Sequence, residues 1–278
     1  MSEKNLVEIT KNYYDSKEAD EFYFHVWGGE DIHIGIYDKK HQSIKEASRN
    51  TVLKMVKKIP PIKKNSKILD IGSGYGGAAR YLAKKYGCKV DCLNLSETEN
   101  ERNRELTKKA ELDELVTVTM GNFEKIPFER ESYDIVWSQD ALLHSNRKEK
   151  VFREVARVLK PEGRFIFTDP MQSDDCPDGA LKDVLPRIHL EELGSVRLYR
   201  RLANRADLER VLIKEMPGQL VKHYTTVLET LNEQYDTVVK KSSEAYIKNM
   251  ITGLKHWIEA GEKGYLNWGI LQFQKRNI

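Results

Sequence analysis

An acidic residue followed by closely spaced glycines is the part of this sequence that most directly suggests chemistry. Residues 67–77 read KILDIGSGYGG, with Asp70 placed two residues before Gly72 and four before Gly74. Glycine is favoured where the backbone takes a positive φ or where a ligand approaches it closely. A strand, a glycine-rich turn and a helix N-terminus form the floor of nucleotide-type sites in doubly wound α/β folds. The stretch therefore predicts a site for a nucleotide-like ligand.

The elements that must position this turn follow a regular alternation. We predict strands at Lys67–Ile71, Lys89–Leu93, Val116–Met120, Tyr133–Trp137, Arg164–Thr168 and Gly269–Lys275. We predict helices at Gly77–Tyr86, Glu97–Ala110 and Arg147–Leu159. Such β–α alternation is typical of a parallel sheet with helices on both faces and right-handed crossovers.

The segments on either side of this core have other patterns. Helical periodicity over Leu6–Phe24 and Gln42–Ile59 predicts an N-terminal helical lid, residues 1–60. The core then covers 61–169, and 170–217 breaks the alternation, which predicts an insertion that caps the open end of the sheet. Residues 218–278 complete the sheet after helices near Tyr224–Lys241 and Ser243–Gly261, so we expect one domain over 1–278.

Bulk composition narrows the class of protein. The 278 residues carry 46 Lys and Arg against 43 Asp and Glu, a net charge of +3 with no long block of one sign. This balance does not indicate nucleic acid as a partner. Three cysteines without further soft ligands nearby predict free thiols and no metal site. No apolar run is long enough to span a bilayer and no leader is evident, so we expect a cytoplasmic monomer or homodimer.

Two kinds of ligand suit the glycine turn. Gly72, Gly74 and Gly77 match the pattern G-x-G-x-x-G of dinucleotide sites, which is a weak signal alone. Asp70 is not part of that fingerprint, whereas it could reach the ammonium group of S-adenosylmethionine. The LKPEGR stretch at 159–164 is common in methyltransferases, and no second domain remains for hydride chemistry. We therefore favour S-adenosylmethionine, with a turn that only packs helix against strand as the structural alternative.

The glycine turn resembles the first motif of class I methyltransferases. The chain from Phe22 to about Lys275 resembles the sarcosine/dimethylglycine N-methyltransferases, which make glycine betaine, an osmoprotectant. The stretches that carry this resemblance are FHVWGGEDIH (24–33), QDALLHS (139–145), TDPMQSDD (168–175), RIHL (187–190) and GYLNWGI (264–270). The resemblance implies a Rossmann-like seven-stranded α/β sheet whose last strand is antiparallel, with a cap insertion after strand 5. It also implies S-adenosylmethionine as methyl donor, S-adenosylhomocysteine as product and a small amino acid as acceptor.

The resemblance also implies which residues hold the cofactor at successive strand ends. They are Asp70, Gly72, Gly74, Asn94, Leu95, Asn122, Phe123 and Gln139. Leu95 and Phe123 would pack on the adenine, Asn122 would take its amino group and Gln139 would line the methionine part. Asn94 departs from the pattern of the class I methyltransferase superfamily, which usually has an acid on the ribose hydroxyls at this position. An amide can still donate and accept there, but without a charge-assisted bond.

The acceptor's amine is an ammonium ion near neutral pH and must lose a proton before it can attack. His144 lies at the carboxyl edge of the predicted sheet, and a histidine titrates near pH 6.5, so it suits a general base. In the related phosphoethanolamine methyltransferases a tyrosine of the N-terminal helix pairs with the corresponding histidine, which implies a role for Tyr14, or for Tyr13. A structural histidine that caps a helix is the alternative.

Further residues are candidates for contact with the acceptor. A planar guanidinium binds a carboxylate through two bonds, which suggests Arg187 with His189 beside it. Aromatic walls favour quaternary ammonium groups, and the candidates are Tyr23, Trp27, Tyr37 and Trp268. His33 is expected under the lid near the sulfonium. An exposed helix charge and ordinary core aromatic residues are the structural alternatives.

Two other functions remain open from the sequence. The first is methylation of another small acceptor, such as phosphoethanolamine, a natural-product amine or a sterol. The second belongs to a different class, an NAD-dependent oxidoreductase or a catalytically silent nucleotide-binding module.

Overall fold

One seven-stranded sheet organises the computed structural model, which describes residues 3–27, 29–188, 190 and 192–277. The strands are Lys67–Ile71 (β1), Lys89–Asn94 (β2), Val116–Met120 (β3), Tyr133–Gln139 (β4), Leu159–Gln172 (β5), Leu208–Glu215 (β6) and Leu266–Lys275 (β7). Their order is β3-β2-β1-β4-β5-β7-β6. Strands β1 to β5 run parallel, and β7 lies antiparallel between β5 and β6. The expected α/β sheet with an antiparallel last strand is confirmed.

Ten helices of the described chain surround this sheet. They are Glu3–Asp15 (α1), Lys17–Phe22 (α2), Ile44–Val56 (α3), Gly77–Tyr86 (α4), Glu97–Lys109 (α5), Lys148–Val158 (α6), Val196–Arg205 (α7), Pro217–Glu233 (α8), Tyr235–Val239 (α9) and Glu244–Glu262 (α10). None of these described helices is long and apolar enough to cross a membrane.

Successive residues of the central strands pack into two separate hydrophobic cores. Ile68 of β1 and Trp137 of β4 pack with α4, α8 and α10 on one face of the sheet. Their neighbours Leu69 and Val136 pack with α6 and α7 on the other face. A strand places alternate side chains on opposite faces, and a parallel sheet is normally buried on both. The edge formed by the strand ends is therefore where polar side chains can gather.

The N-terminal lid differs from the single first helix that the periodicity predicts. A break at Ser16 separates α1 from α2, because the Ser16 hydroxyl accepts a hydrogen bond from the Ala19 N–H and so caps the second helix. A turn of π-helix, Tyr23–Trp27, follows α2. The third lid helix, α3, begins after a reciprocal capping box between Ser43 and Glu46.

The range predicted as a cap insertion, 170–217, contains two elements of the sheet layers. Strand β5 continues to Gln172, while α7 and β6 belong to the sheet layers, which leaves 173–195 as the connection. Strand β6 escaped prediction because the register shifts between Arg210 and Leu212. This irregularity interrupts the alternation of apolar and polar residues that identifies a strand.

Candidate active site

A cleft opens at the carboxyl ends of β1 to β4, beneath α1. Ligands of open α/β sheets bind at this edge. The eight residues predicted to hold the cofactor all line it, namely Asp70, Gly72, Gly74, Asn94, Leu95, Asn122, Phe123 and Gln139. The structure therefore brings together side chains from four successive strand ends.

The glycine turn lets two other segments approach the cleft floor. Gly72 has a φ of 72°, and a Cβ there would lie 2.3 Å from the Cβ of Ala141, in the loop after β4. A Cβ at Gly77 would lie 2.3 Å from Oδ1 of Asp31, in the lid. Any side chain at either position would push these segments away. The glycines thus serve the close packing of the cleft walls as well as the backbone conformation.

Two carboxylates lie beside this turn. Asp70 is only 3% exposed, and burial, together with the charge of Asp31, raises its pKa to about 7. Asp31 is also buried, and its Oδ2 lies 2.9 Å from Nη2 of Arg49. A bound cation would favour the ionised form of Asp70 and relieve the repulsion between the two acids. This part of the cleft is therefore suited to an ammonium group.

Asn94 does not stand alone at the end of β2. Its Nδ2 donates a 2.7 Å hydrogen bond to Oε2 of Glu99, a buried residue of α5 that also lines the cleft. Burial raises the pKa of Glu99 to about 7, aided by the charges of Asp20 and Asp15 and opposed by the bond from Asn94. The structure thus places a carboxyl group next to the amide that departs from the superfamily pattern.

Sequence reasoning missed Glu99 because its spacing has a local explanation. It lies three residues after Ser96, whose hydroxyl accepts a hydrogen bond from the Glu99 N–H at the start of α5. A Ser followed three residues later by Glu is a common helix-start signal. Only the additional burial of this glutamate distinguishes it, and burial is not visible in the local pattern.

A tyrosine from the lid meets a histidine from the sheet inside the cleft. Tyr14 Oη lies 2.9 Å from His144 Nε2, and the two rings are edge to face with centroids 5.4 Å apart. Both residues line the cleft, and His144 ends a short 3₁₀ turn, Leu142–His144. The expected contact is therefore present. Of the two tyrosines considered, Tyr13 instead lies 3.2 Å from the hydroxyl of Tyr23.

Several buried polar atoms of the cleft have no hydrogen-bond partner among the described residues. They are Asp31 Oδ1, His33 Nε2, Ser73 Oγ and Gln139 Nε2. Buried polar groups in folded proteins are normally paired, so such a group of atoms suits a polar ligand or ordered water. With the apolar surfaces of Leu95 and Phe123, this mixture of donors, acceptors and apolar wall fits a ligand that joins a base, a sugar and an amino acid.

Asp140 is a second residue that sequence reasoning missed. Its carboxylate accepts hydrogen bonds from the Ile34 N–H at 2.7 Å and from Trp268 Nε1 at 2.8 Å, and it lines the cleft. Burial raises its pKa, against the opposing effect of His33. This one side chain joins the lid, β4 and β7. It belongs to the stretch 139–145, so its position within that stretch was the available signal.

Four predicted acceptor residues do not line the cleft. Tyr23, Trp27 and Trp268 are at most 7% exposed and belong to the core behind it. Tyr37 donates or accepts a 3.0 Å hydrogen bond with Nδ1 of His223, which is also buried. Large aromatic rings contribute most to stability when they are buried in the core, which is the structural alternative for such residues. These four rings are therefore outside the cleft lining, and their contact with the acceptor stays a prediction.

The other predicted acceptor residues have mixed outcomes. His33 lines the cleft, with its Nε2 3.9 Å from Oδ1 of Asp31. Arg187 belongs to a 3₁₀ turn, Leu185–Ile188, but its side chain lies outside the described part of the chain, as does the whole of His189. The expectation that these two bind a carboxylate stays a prediction.

A family profile described as a methyltransferase domain matches residues 69–167, which span β1 to most of β5. This segment contains the glycine turn and all the strand ends of the cleft. The sheet order, the antiparallel β7 and the cleft chemistry agree with that match. The fold and site define a class I methyltransferase that uses S-adenosylmethionine.

Full-length relatives narrow this class. The sarcosine/dimethylglycine N-methyltransferase of Aphanothece halophytica is 50% identical over 265 residues, covering 95% of this chain and 96% of that protein. The enzyme of the same name from Halorhodospira halochloris is 46% identical and covers 97% and 96%. A crystal structure described as a sarcosine dimethylglycine methyltransferase, from Galdieria sulphuraria, has a TM-score of 0.88 at 43% identity, covering 96% and 100%. The chain belongs to the sarcosine/dimethylglycine N-methyltransferase family.

Proposed function

We propose that this enzyme methylates the nitrogen of sarcosine and then of N,N-dimethylglycine, giving glycine betaine. The observation that carries the proposal is the contact between Tyr14 and His144 inside the cleft that also holds the glycine turn. With His144 as the general base, this contact would bring the base and the donor site into one cleft. The names of the full-length relatives support the same acceptors.

The donor's parts match different groups of the cleft. Bound S-adenosylmethionine supplies a methyl group on a positively charged sulfur, and an amine lone pair that attacks the methyl carbon displaces the sulfur. Asp70 and Asp31 would hold its ammonium group, since both acids are buried beside the turn. Asn94 and Glu99 would hold the ribose hydroxyls. The remaining predicted cofactor residues, Leu95, Asn122, Phe123 and Gln139, would surround the adenine and the methionine part.

His144 would make the acceptor reactive. The Tyr14 hydroxyl would take the proton from the acceptor's ammonium group and give its own proton to Nε2 of His144, which frees the nitrogen lone pair for in-line attack on the methyl carbon. The Tyr14 hydroxyl holds the ring through the 2.9 Å contact with Nε2. Most of the remaining rate acceleration comes from alignment of the two reactants, an effect that can be large. His33, on the same cleft wall, would lie next to the transferred methyl group.

A parallel acceptor assay tests this proposal. Purified enzyme is incubated with labelled methyl donor and, separately, with glycine, sarcosine, dimethylglycine and phosphoethanolamine. We expect label in dimethylglycine and betaine, from sarcosine and dimethylglycine respectively. Transfer to phosphoethanolamine but to neither of those two amines would contradict the proposal and favour the alternative small acceptor. Family membership already favours a methyltransferase over an oxidoreductase or a silent binding module.

We also propose that the enzyme works in the cytoplasm on freely diffusing amino acids. The support is that Cys88, Cys92 and Cys176 are free thiols in the structure. Whether the chain is a monomer or a homodimer stays a prediction, which a sedimentation measurement decides.

A further inference from the structure

Buried polar side chains from three elements hold the turn that carries His144. Asp169 of β5 accepts a 3.0 Å hydrogen bond from the Leu143 N–H through Oδ1. Lys148 of α6 donates through Nζ to the carbonyl of Ser145 at 2.7 Å and to that of Leu143 at 3.4 Å. The Tyr199 hydroxyl of α7 donates to the second oxygen of Asp169. The residues on both sides of His144 are thus fixed from behind the cleft.

Burying these three polar side chains costs free energy of folding that apolar side chains of similar volume would not cost. Asp169 and Tyr199 are fully buried and Lys148 is 6% exposed. Burial raises the pKa of Asp169 and lowers that of Lys148, while each charge favours the ionised form of the other. Buried charged groups generally destabilise a fold relative to apolar residues of similar volume. Their presence at one turn therefore indicates a requirement of that turn.

Residues next to Lys148, Asp169 and Tyr199 also accommodate or extend this hydrogen-bond network. A Cβ at Gly194 would lie 2.3 Å from the Tyr199 hydroxyl, so the glycine leaves room for the bond to Asp169. The Ser145 hydroxyl donates to Oε1 of Glu124 at 2.6 Å, which ties the far end of the turn to the loop after β3. Besides Asp169, the charged groups that act on Lys148 are Glu124 and Glu192, and Asp140 acts on Asp169.

We propose that Lys148, Asp169 and Tyr199 are positioning residues that set the orientation of His144 toward Tyr14 and the acceptor. A 3₁₀ turn of three residues has poor hydrogen-bond geometry of its own, so its orientation depends on bonds from outside. The network supplies such bonds to the N–H and carbonyl of Leu143 and to the carbonyl of Ser145. The inference rests on the proposed role of His144 as the base.

The principal test is Lys148→Met, which keeps the length of the side chain and removes both hydrogen bonds from Nζ to the turn. We expect kcat for sarcosine to fall about tenfold or more, because small misplacements of a reacting group are expensive. The KM for S-adenosylmethionine should stay within about twofold, since the strand ends that hold the donor are untouched. Tyr199→Phe should give a smaller loss of the same kind, and it replaces Lys148→Met if that variant does not fold.

A matched control separates positioning from stability. Phe152 stacks on Tyr199 with ring centroids 5.7 Å apart but makes none of the bonds to the turn. Phe152→Leu should lower the melting temperature and leave kcat of the folded enzyme within about twofold. An equal loss of kcat in Phe152→Leu and Lys148→Met at matched stability would overturn the inference.

A double-mutant cycle with His144→Ala gives the decisive reading. If Lys148 acts through His144, Lys148→Met should change kcat little once His144 is alanine. The same loss with and without His144 would overturn the positioning role and leave the proposed base intact. Wild-type turnover in His144→Ala alone would overturn the proposed base, and the positioning role with it, while the acceptor assay would still report methyl transfer.

Discussion

The donor half and the acceptor half of the cleft differ in how they are built. The donor half consists of the ends of β1 to β4 and their turns, with Asp70 and Asn94 as examples. The acceptor half depends on the lid, where Tyr14 reaches His144 across 130 residues of sequence. One half is assembled by neighbouring strands, and the other by two segments that meet only in the folded chain.

Because the two halves are held by different contacts, substitutions in each should change different properties of the enzyme. Strand-end residues are held by sheet hydrogen bonds, such as the 2.8 Å bond from the Gly72 N–H to the Leu93 carbonyl. The lid is held by side-chain contacts, among them those of Asp15 and Asp140. Changes in the donor half should therefore alter cofactor affinity and stability together. Changes at the contact between Tyr14 and His144 should alter turnover with little effect on cofactor affinity.

The largest effect is expected from His144→Ala. Loss of a general base costs about 10²–10⁴-fold in rate, and we expect kcat for sarcosine to fall within that range. The Kd for S-adenosylhomocysteine, measured by titration calorimetry, should change by no more than about threefold. His41→Ala is the control, because His41 lies in a surface turn with Asp38. A parallel loss of cofactor affinity would show that the two halves cannot be separated at this residue.

The next effect concerns the floor of the donor half. Gly72→Ala must place an L-residue at a φ of 72° and a Cβ 2.3 Å from that of Ala141. The positive φ costs about 1–2 kcal/mol, and the overpacking costs about 1–3 kcal/mol more. Urea unfolding measures the sum, and we expect weaker binding of S-adenosylhomocysteine as well.

Gly179→Ala is the matched control for this change. Gly179 has a φ of 73° with nothing within 4 Å of the added Cβ, so it reports the backbone cost alone. If the two variants lose equal stability and Gly72→Ala keeps its cofactor affinity, the close packing of the floor is not what the donor half requires.

The two halves were also unequally predictable from sequence. Short apolar strands with glycine turns are local patterns, so Asp70 and Asn94 could be placed on the cleft from their position at the carboxyl end of a strand. The Tyr14 contact came from a family resemblance, because no local pattern links a lid helix to the loop after β4. Trp27 and Trp268 lie in the core behind the cleft, and the sequence does not distinguish a ring packed in the core from one that faces a ligand. Strand β6 was also not predicted, because the register shift between Arg210 and Leu212 interrupts the alternation of apolar and polar residues.

Glu99→Gln should produce an effect that depends on pH. The pKa of Glu99 is about 7 in the folded chain against 4.5 ordinarily, so its contribution to stability is full below pH 4.5 and is lost as pH rises through 7. Glutamine mimics the protonated form. We therefore expect the variant without ligand to gain about 1–3 kcal/mol of stability at pH 8 and almost none at pH 4.5.

The same variant should lose cofactor affinity, by about tenfold in the Kd for S-adenosylhomocysteine at pH 8, because a charge-assisted bond to the ribose is removed. Glu101→Gln, an exposed position of the same helix, should change neither quantity. A stability gain that is equal at both pH values would argue against a charged Glu99 in the donor half. An unchanged Kd for S-adenosylhomocysteine would mean that Asn94 binds the ribose hydroxyls without Glu99.

The smallest effect is expected where the two halves meet. Asp15 follows Tyr14 on α1, and its Oδ1 accepts hydrogen bonds from the Ser96 hydroxyl at 2.7 Å and the Thr98 N–H at 3.2 Å. It therefore docks the lid on the N-terminus of α5, where a negative charge is favourable. Asp15→Asn keeps an acceptor but loses the charge, a change of about 0.5–1 kcal/mol.

This cost should appear in closure of the lid over the donor. We expect the KM for S-adenosylmethionine to rise about two- to fivefold with kcat unchanged, and Asp113→Asn, an exposed change elsewhere, to alter neither. Because α1 also carries Tyr14, a fall in kcat would mean that docking the lid and orienting His144 are one event. In that case α1 would couple the donor and acceptor halves. The two halves would still be assembled from different elements, but substitutions could not change cofactor binding and turnover separately.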